Sequence, residues 1–356
     1  MMRATPSSIL PGISPVAPSE AAAEADLVDR AFAAGPYGHL SRDAERRALE
    51  ADTAGRAASG VVLVAREDNR VVGTSSLLRA GTQYARVAVP DEAEIRLLAV
   101  DPDLHGSGLG QALTRASLET ALEWGAEALV LDTETDNLRA QAFYERIGFE
   151  RDPSRDHLAS ADGVESVVFR FPLQQRADVR MRLMRDDEAA EVSSLAESAY
   201  ADDFPLSEAY RAEIAAVAER ARDHQVWVAT DAASGMLLGT TSTPRAGRAI
   251  SPLARDGELD FRFLGVASSA RRRGIGALLV GHVLLLARLR GVPRVVLNTG
   301  PDMVAAQRLY ERFGFARLHD REYTFERPDG TTFLMMAYGR GTDERERRVS
   351  AASCVR

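Results

Sequence analysis

Two stretches decide how this chain is read: "LAVDPDLHGSGLGQAL" at 98–113 and "LGVASSARRRGIGALL" at 264–279. Each runs from a short apolar strand through a glycine-rich loop into a helix, on which Leu109, Ala112, Leu113 and Ala116 recur at i, i+3, i+4 and i+7. Gly108 and Gly110, and Gly274 and Gly276 in the second copy, let the backbone come close to a ligand and take φ values that other residues resist. The N–H groups of a first helical turn have no partner inside the helix, so such a terminus receives anions through its donors and its dipole together. Arg271, Arg272 and Arg273, directly before Gly274, add charge-assisted donors suited to phosphate oxygens. A dinucleotide fingerprint would need G-x-G-x-x-G beside the first strand and an acidic residue about 20 positions on. Both loops here lie well beyond the first predicted strand of their half.

The likeness extends well beyond the loops. Shifted by 166 residues, 93–150 aligns with 259–316 without a gap, and about one position in three is identical. Arg96 falls on Arg262, Val100 on Val266 and Asp136 on Asp302, and the run Tyr-Glu-Arg-x-Gly-Phe at 144–149 recurs at 310–315. Half of 356 residues suits one domain, so the chain reads as one domain present twice rather than as a solenoid of short repeats. The first half predicts a helix at 24–34, a strand pair at 61–67 and 71–78 turning at Asp68 and Asn69, and an alternating strand at 94–100. A helix from 109 stopped by Gly125, a strand at 128–133 and a helix at 137–148 follow. The second half predicts strands at 226–230, 236–243, 259–266 and 294–299, with helices at 275–290 and 303–313. The expected fold class is α/β, a mixed sheet flanked by helices, in two domains over 12–172 and 179–340. The polar 172–178 is the expected linker, and the charged, aperiodic 341–356 a disordered tail.

Composition excludes more than it selects. At 45% apolar and 27% charged the chain is globular in character, and a net charge of −8 argues against a dedicated nucleic-acid binder. No stretch approaches 18 apolar residues, and the opening residues lack the unbroken apolar run of a secretory leader. Cys354, the single cysteine, supports neither a disulfide framework, a Cys-ligated zinc site nor a buried thiol nucleophile. A cytoplasmic protein is expected, monomer or homodimer, without metal, membrane or nucleic-acid partner. All 44 Lys+Arg residues are Arg. Codon bias is one account of that and selection is another, since the two residues are chemically distinct.

The Arg/Gln-x-x-Gly-x-Gly/Ala loop after a strand, then a helix, a strand, and a helix bearing Asn-x-x-A-x-x-x-Tyr-x-x-x-Gly-Phe, resembles the GCN5-related N-acetyltransferase (GNAT) family. Both halves carry the pattern, so the chain looks like a tandem of two such domains. What the resemblance implies is binding of acetyl-CoA. Its pantetheine arm would pair with the backbone near Leu98 to Val100 and Leu264 to Val266. Its pyrophosphate would rest on the loop: His105, Gly106, Ser107, Gly108, Leu109, Gly110 and Gln111 in the first half, Arg271, Arg272, Arg273, Gly274, Ile275, Gly276 and Ala277 in the second. Asn137 is the further cofactor contact. Two departures stand out, His105 where the family usually places Arg or Gln, and Met303 at the position of Asn137.

Acetyl transfer needs a neutral amine, a polarised thioester and a proton for the departing thiolate. In the resemblance, Tyr144 and Tyr310 occupy the place of the tyrosine that donates to the CoA sulfur; each could equally be a packed core aromatic. Strand alternation puts Glu92, Glu94, Arg96 and Leu98 on one face. Glu94 and its counterpart Asp260 match the family's proton-relaying carboxylate, and Glu94 with Arg96 also reads as a plain ion pair. Arg96 and Arg262 alternatively hold a substrate carboxylate. The expected activity is transfer of acetyl from acetyl-CoA to a primary amine of a small molecule by direct attack in a ternary complex. A mycothiol-synthase-like acetyltransferase and a non-catalytic acyl-CoA sensor are the alternatives. The acceptor pocket is expected around 32–40, 200–210, 155–160 and 319–325.

Overall fold

The structure is a computed structural model that describes residues 12–35, 44–159, 165–201, 207–326 and 330–342. The chain divides into two compact units, meeting at Gln174 and Gln175. In the first, strands β1 (Ile13–Pro15), β2 (Gly60–Glu67), β3 (Arg70–Arg79), β4 (Ala93–Val100), β5 (Ala128–Glu134), β6 (Glu150–Arg151) and β7 (Ser166–Pro172) form one sheet in the order β1-β2-β3-β4-β5-β7-β6. Its helices are α1 (Ala21–Ala33), α2 (Ala44–Ala51), α3 (Thr53–Ala58), α4 (Leu109–Glu123), α5 (Leu138–Ile147) and α6 (Asp156–Ala159). β2 and β3 turn at Asp68 and Asn69, both at positive φ, the backbone that a tight hairpin needs. Helix α4 lies against β3 and β4, and Gly73 in β3 lets it approach: a Cβ there would stand 2.9 Å from Leu113 Cδ1.

The second unit follows the same plan with the sheet in two parts. β8 (Val179–Leu183), β9 (His224–Asp231), β10 (Leu237–Pro244) and β12 (Arg262–Val266) make one part; β11 (Glu258–Asp260), β13 (Arg294–Thr299), β14 (Ala316–Arg317), β15 (Tyr323–Glu326) and β16 (Thr332–Gly341) make the other. Helices α7 (Ala189–Ala201), α8 (Glu208–Ala215), α9 (Val217–Asp223), α10 (Ile275–Leu289) and α11 (Val304–Arg312) cover it. The single strand expected at 259–266 is interrupted at Phe261, where the chain leaves β13 and joins β10. Gly341, expected in the tail, closes β16 opposite Arg294; 343–356 lies outside the described residues. Gly239 repeats Gly73 at the same offset, but there a Cβ would meet the Gly265 carbonyl oxygen at 2.8 Å. Leu113 can rotate and a strand carbonyl cannot. Gly73→Ala is therefore expected to lower stability by about 1 kcal/mol and Gly239→Ala by about 3 kcal/mol, a difference that urea midpoints will show.

His282 on α10 is buried edge-on to Trp227, 4.3 Å between ring centres, and its Nε2 has no hydrogen-bond partner. Burial drives its pKa down to about 3. An imidazole held neutral in the folded state and free to protonate in the unfolded one stabilises fully above its ordinary value near 6.5. That contribution fades as pH falls from 6.5 toward 3, and His282→Leu should flatten the decline of melting temperature over this window.

Candidate active site

The site is built first by a fault in β4. Ser76 pairs with Arg96 and Thr74 with Ala99, so Leu97 and Leu98 together face Ser75, and Leu97 takes φ +52°. The second unit does the same 166 residues later: Ser242 pairs with Arg262, Thr240 with Gly265, and Phe263 takes φ +55°. This bulge corrects the face expected from alternation. Arg96 lies opposite Ser76, on the α3 side, whereas Leu98 and Val100 pack with Leu109 and Leu113 of α4. β4 pairs with β5 at Ala93 and Glu94, upstream of the bulge, as β11 pairs with β13 at Glu258 to Asp260. Beyond those residues the paired strands part company, so Leu98 to Val100 and Leu264 to Val266 border an opening.

The loops above the opening share one backbone. Gly106 and Gly108 stand at φ +84° and +90°, and Arg272 and Gly274 at +63° and +79°. An arginine thus holds the left-handed conformation that Gly106 holds freely, at a cost of about 1 kcal/mol. Gly108 and Gly274 are the residues from which α4 and α10 start, and the first backbone bonds of those helices run from Ala112 and Leu278. Ahead of them Ser107 N and Arg273 N donate to the Leu104 and Ala270 carbonyls at 3.2 and 3.3 Å and Leu109 N to Ser107 Oγ at 3.3 Å, while the N–H groups of Gly106, Gly108, Arg272 and Gly274 have no partner among the described residues. A Cβ on Gly106 or Gly108 would meet nothing within 4 Å, so the loop front is open. His105, Gly106, Ser107, Arg272 and Arg273 are exposed around it. Arg271 donates instead to the Ala199 carbonyl at the end of α7. Arg176, which the sequence did not single out, donates to the Arg273 carbonyl at 2.6 Å and pairs with Asp178. This backbone fits a pyrophosphate. Asn137 starts α5, its Oδ1 accepting from Ala140 N at 3.2 Å, which leaves its amide NH2 for a ligand. Met303 makes no such cap.

Tyr144 and Tyr310 lie in α5 and α11 with buried rings, 8% and 6% exposed. Phe143, Phe149 and Phe169 surround the first; Phe261, Phe315 and Tyr338 surround the second. Burial raises both phenols well above the ordinary value near 10, with Asp132 and Glu134 adding to the effect at Tyr144 and Tyr210 at Tyr310. Among the described residues neither hydroxyl has a protein partner, and neither is among the sealed, unpartnered polar atoms. The ring is packed and its tip is open to a ligand.

The strand carboxylates are more deeply placed than an exposed base would be. Glu94 is fully buried; its Oε2 accepts from the N–H groups of Arg86, Val87 and Ala88 at 2.8, 2.8 and 2.9 Å, and Oε1 has no hydrogen bond. Arg96 Nη1 lies 3.5 Å from that Oε1, so the plain ion pair is present too. Asp260 accepts from Ile250 N at 3.0 Å and Ser251 Oγ at 2.6 Å. Desolvation raises the pKa of both groups. Each carboxylate pins the loop that precedes its strand.

Sequence reasoning did not find the buried cluster beside this opening. Glu24 and Arg56 pair at 2.8 Å, 0% and 1% exposed, and Thr53, Thr74 and Ser76 complete their hydrogen bonds. Its signal was a glutamate on the apolar face of a predicted helix. Of the expected acceptor segments, 36–40, 160 and 202–206 lie outside the described residues.

Residues 26–149 and 190–315 each match the family model described as the acetyltransferase (GNAT) family. An uncharacterized N-acetyltransferase of Mycobacterium bovis is 35% identical over 94 residues, 26% of this chain and 55% of that protein. A mycothiol acetyltransferase of Saccharomonospora viridis is 37% identical over 93 residues, 26% of this chain and 30% of that one. The chain thus spans about half the length, or less, of these curated relatives. The solved ribosomal-protein-S18-alanine N-acetyltransferase of Escherichia coli is 21% identical, covering 46% of this chain and 95% of that one with a TM-score of 0.35. Among the described residues no helix is long and apolar enough to cross a membrane.

Proposed function

This chain belongs to the acetyltransferase (GNAT) family, matched by both of its halves, and from that premise we propose that it moves an acetyl group from acetyl-CoA to a primary amine of a small molecule. The observation that carries the reading is the duplicated backbone: a bulge at Leu97 and Phe263 and an open left-handed loop at 106–108 and 272–274, each ahead of a buried tyrosine with a free tip. Acetyl-CoA supplies an activated thioester. The loop N–H groups hold its pyrophosphate, and the strand backbone past the bulge aligns its arm. The amine nitrogen bonds to the acetyl carbon as the carbon–sulfur bond breaks; the nitrogen gives up a proton and the sulfur receives one. Tyr144 or Tyr310 supplies the sulfur's proton. Glu94 takes the amine's proton at Oε1, the oxygen without a hydrogen bond, which is sealed from solvent and so is reached only by a relay; at Asp260 both oxygens are engaged, which favours the first half as the stronger catalyst.

Saturating acetyl-CoA should raise the melting temperature, since a ligand at a hundred times its Kd stabilises by about 2.7 kcal/mol. No shift at millimolar acetyl-CoA would remove the basis of the proposal. Calorimetry separates it from an acyl-CoA sensor: two equivalents bound, with no transfer to an amine panel, favours the sensor. The mycothiol acetyltransferase match supports a second reading, tested by offering the amine precursor of mycothiol within that panel.

A further inference from the structure

In the first unit two arginines beside the opening are answered by carboxylates. Arg56 donates to Ser76 Oγ at 2.6 Å and pairs with Glu24 at 2.8 Å. Arg96 lies 3.5 Å from Glu94 and 3.8 Å from Asp132. The second unit keeps both guanidinium groups and loses their partners. Arg220 donates to Ser242 Oγ at 3.1 Å, and Ser242 is Ser76 repeated at the 166-residue offset. Yet Glu24 is the fourth residue of α1, and the fourth residue of α7 is the buried Val192. Arg262 repeats Arg96, but Asn298 stands where Asp132 stood, and Asp260 is taken up by Ile250 and Ser251.

What surrounds the two second-unit arginines does not restore the balance. The hydrogen bonds of Arg220 run to neutral oxygens: Ser242 Oγ and the main-chain carbonyls of Glu213 and Ile214 at 2.9 and 3.0 Å. Burial lowers its pKa to about 10, which still leaves it charged at neutral pH. Arg262 has the Glu213 carboxylate at 2.8 Å, on a side chain 47% exposed, and a bond with Tyr210. Both guanidinium carbons sit over the ring of Phe263, the bulge residue, at 3.9 and 4.6 Å. Tyr200, edge-on to Tyr210 at 6.1 Å, lies in the electrostatic field of both arginines and of Tyr310. Among the described residues one carboxylate therefore serves two half-buried cations, an arrangement that is costly unless a further anion completes it.

We infer that the second unit takes an acceptor amine that also bears a carboxylate, which Arg262 binds while Arg220 adds to the compensating charge, with Phe263, Tyr200 and Tyr210 as an aromatic wall. This rests on the acetyl-transfer reading above, with the same bonds made and broken. In the first unit the carboxylates beside Arg96, Glu94 and Asp132, are largely buried and fixed, whereas the half-exposed Glu213 can give way to a ligand, so the preference belongs to the second unit alone.

The test uses the full chain with Tyr144→Phe, so that turnover reports the second unit, and compares an aromatic α-amino acid with its primary amide. The acid is expected to have a kcat/KM at least about tenfold above the amide, because a site built to bind a polar group rejects an analogue lacking it. In Arg262→Gln that ratio should fall to near one, chiefly through KM, and Arg262→Lys should restore part of it. Equal values for acid and amide before the second substitution overturn the carboxylate site while leaving acetyl transfer standing. If no amine is turned over, acetyl transfer by this unit fails, and calorimetric binding of the amino acid decides the rest: binding lost in Arg262→Gln supports the site, and no binding to the parent overturns it.

Discussion

Replacing Tyr144 and Tyr310 together by phenylalanine is expected to slow thiol release from acetyl-CoA by about 10²- to 10⁴-fold, the range that a positioned general acid contributes. The fold should survive the change. Each ring is held by three aromatic neighbours that phenylalanine keeps, and neither hydroxyl bonds to the protein among the described residues, so no buried partner is orphaned. The raised phenol pKa values keep both groups protonated across the working range, so the proton is present whenever a thiolate needs one. The single variants divide the activity between the units, and the Tyr144→Phe variant should lose the larger share. Thiol release at the parent rate in the double variant, with melting temperature unchanged, would show that the tyrosines are core aromatics and nothing more.

The largest stability effect is expected at Arg56. Removing it leaves Glu24 charged in a fully buried position with only Thr53 and Thr74 as donors, and breaking one partner from a buried pair costs about 3–5 kcal/mol. Arg56→Ala should therefore lower the urea midpoint of the first unit and leave the transition of the second in place, the two being resolved as separate steps. Replacing the pair together, Glu24→Leu with Arg56→Met, should recover most of the loss, because two matched apolar groups need no solvation. A loss under about 1 kcal/mol in Arg56→Ala would mean that the carboxylate reaches water at little expense once its partner is gone.

The contrast between what was legible and what was not has a physical basis. Strands β2 to β5 and helices α4 and α5 follow from local periodicity and glycine stops, and the repeat allowed each to be read twice. The bulge at Leu97 and Phe263 was invisible, because nothing in a leucine or phenylalanine announces a positive φ, and so the face of Leu98 came out reversed. The pairing of β16 with β13 joins residues far apart in sequence, beyond the reach of a local pattern. The tyrosines and the loop were found from their motif. Arg262 was read from its strand as an alternative carboxylate holder, but its partnership with Arg220 was not, since it arises from α9 and β12 meeting in space and from carboxylates replaced at the repeat positions, which shows only when the two units are compared.

Arg272 holds a further lesson, about inheritance. It adopts the backbone of Gly106 despite carrying a side chain, so the two loops keep one shape with a glycine in one and an arginine in the other. A donor-binding cradle written in main-chain N–H groups is shielded from point mutation in a way that no side-chain pocket can be. After a duplication, both copies can therefore keep one donor while their acceptor chemistry drifts apart. Arginines answered by buried carboxylates at one bulge, and by a single half-exposed glutamate among the described residues at the other, are what such divergence leaves behind.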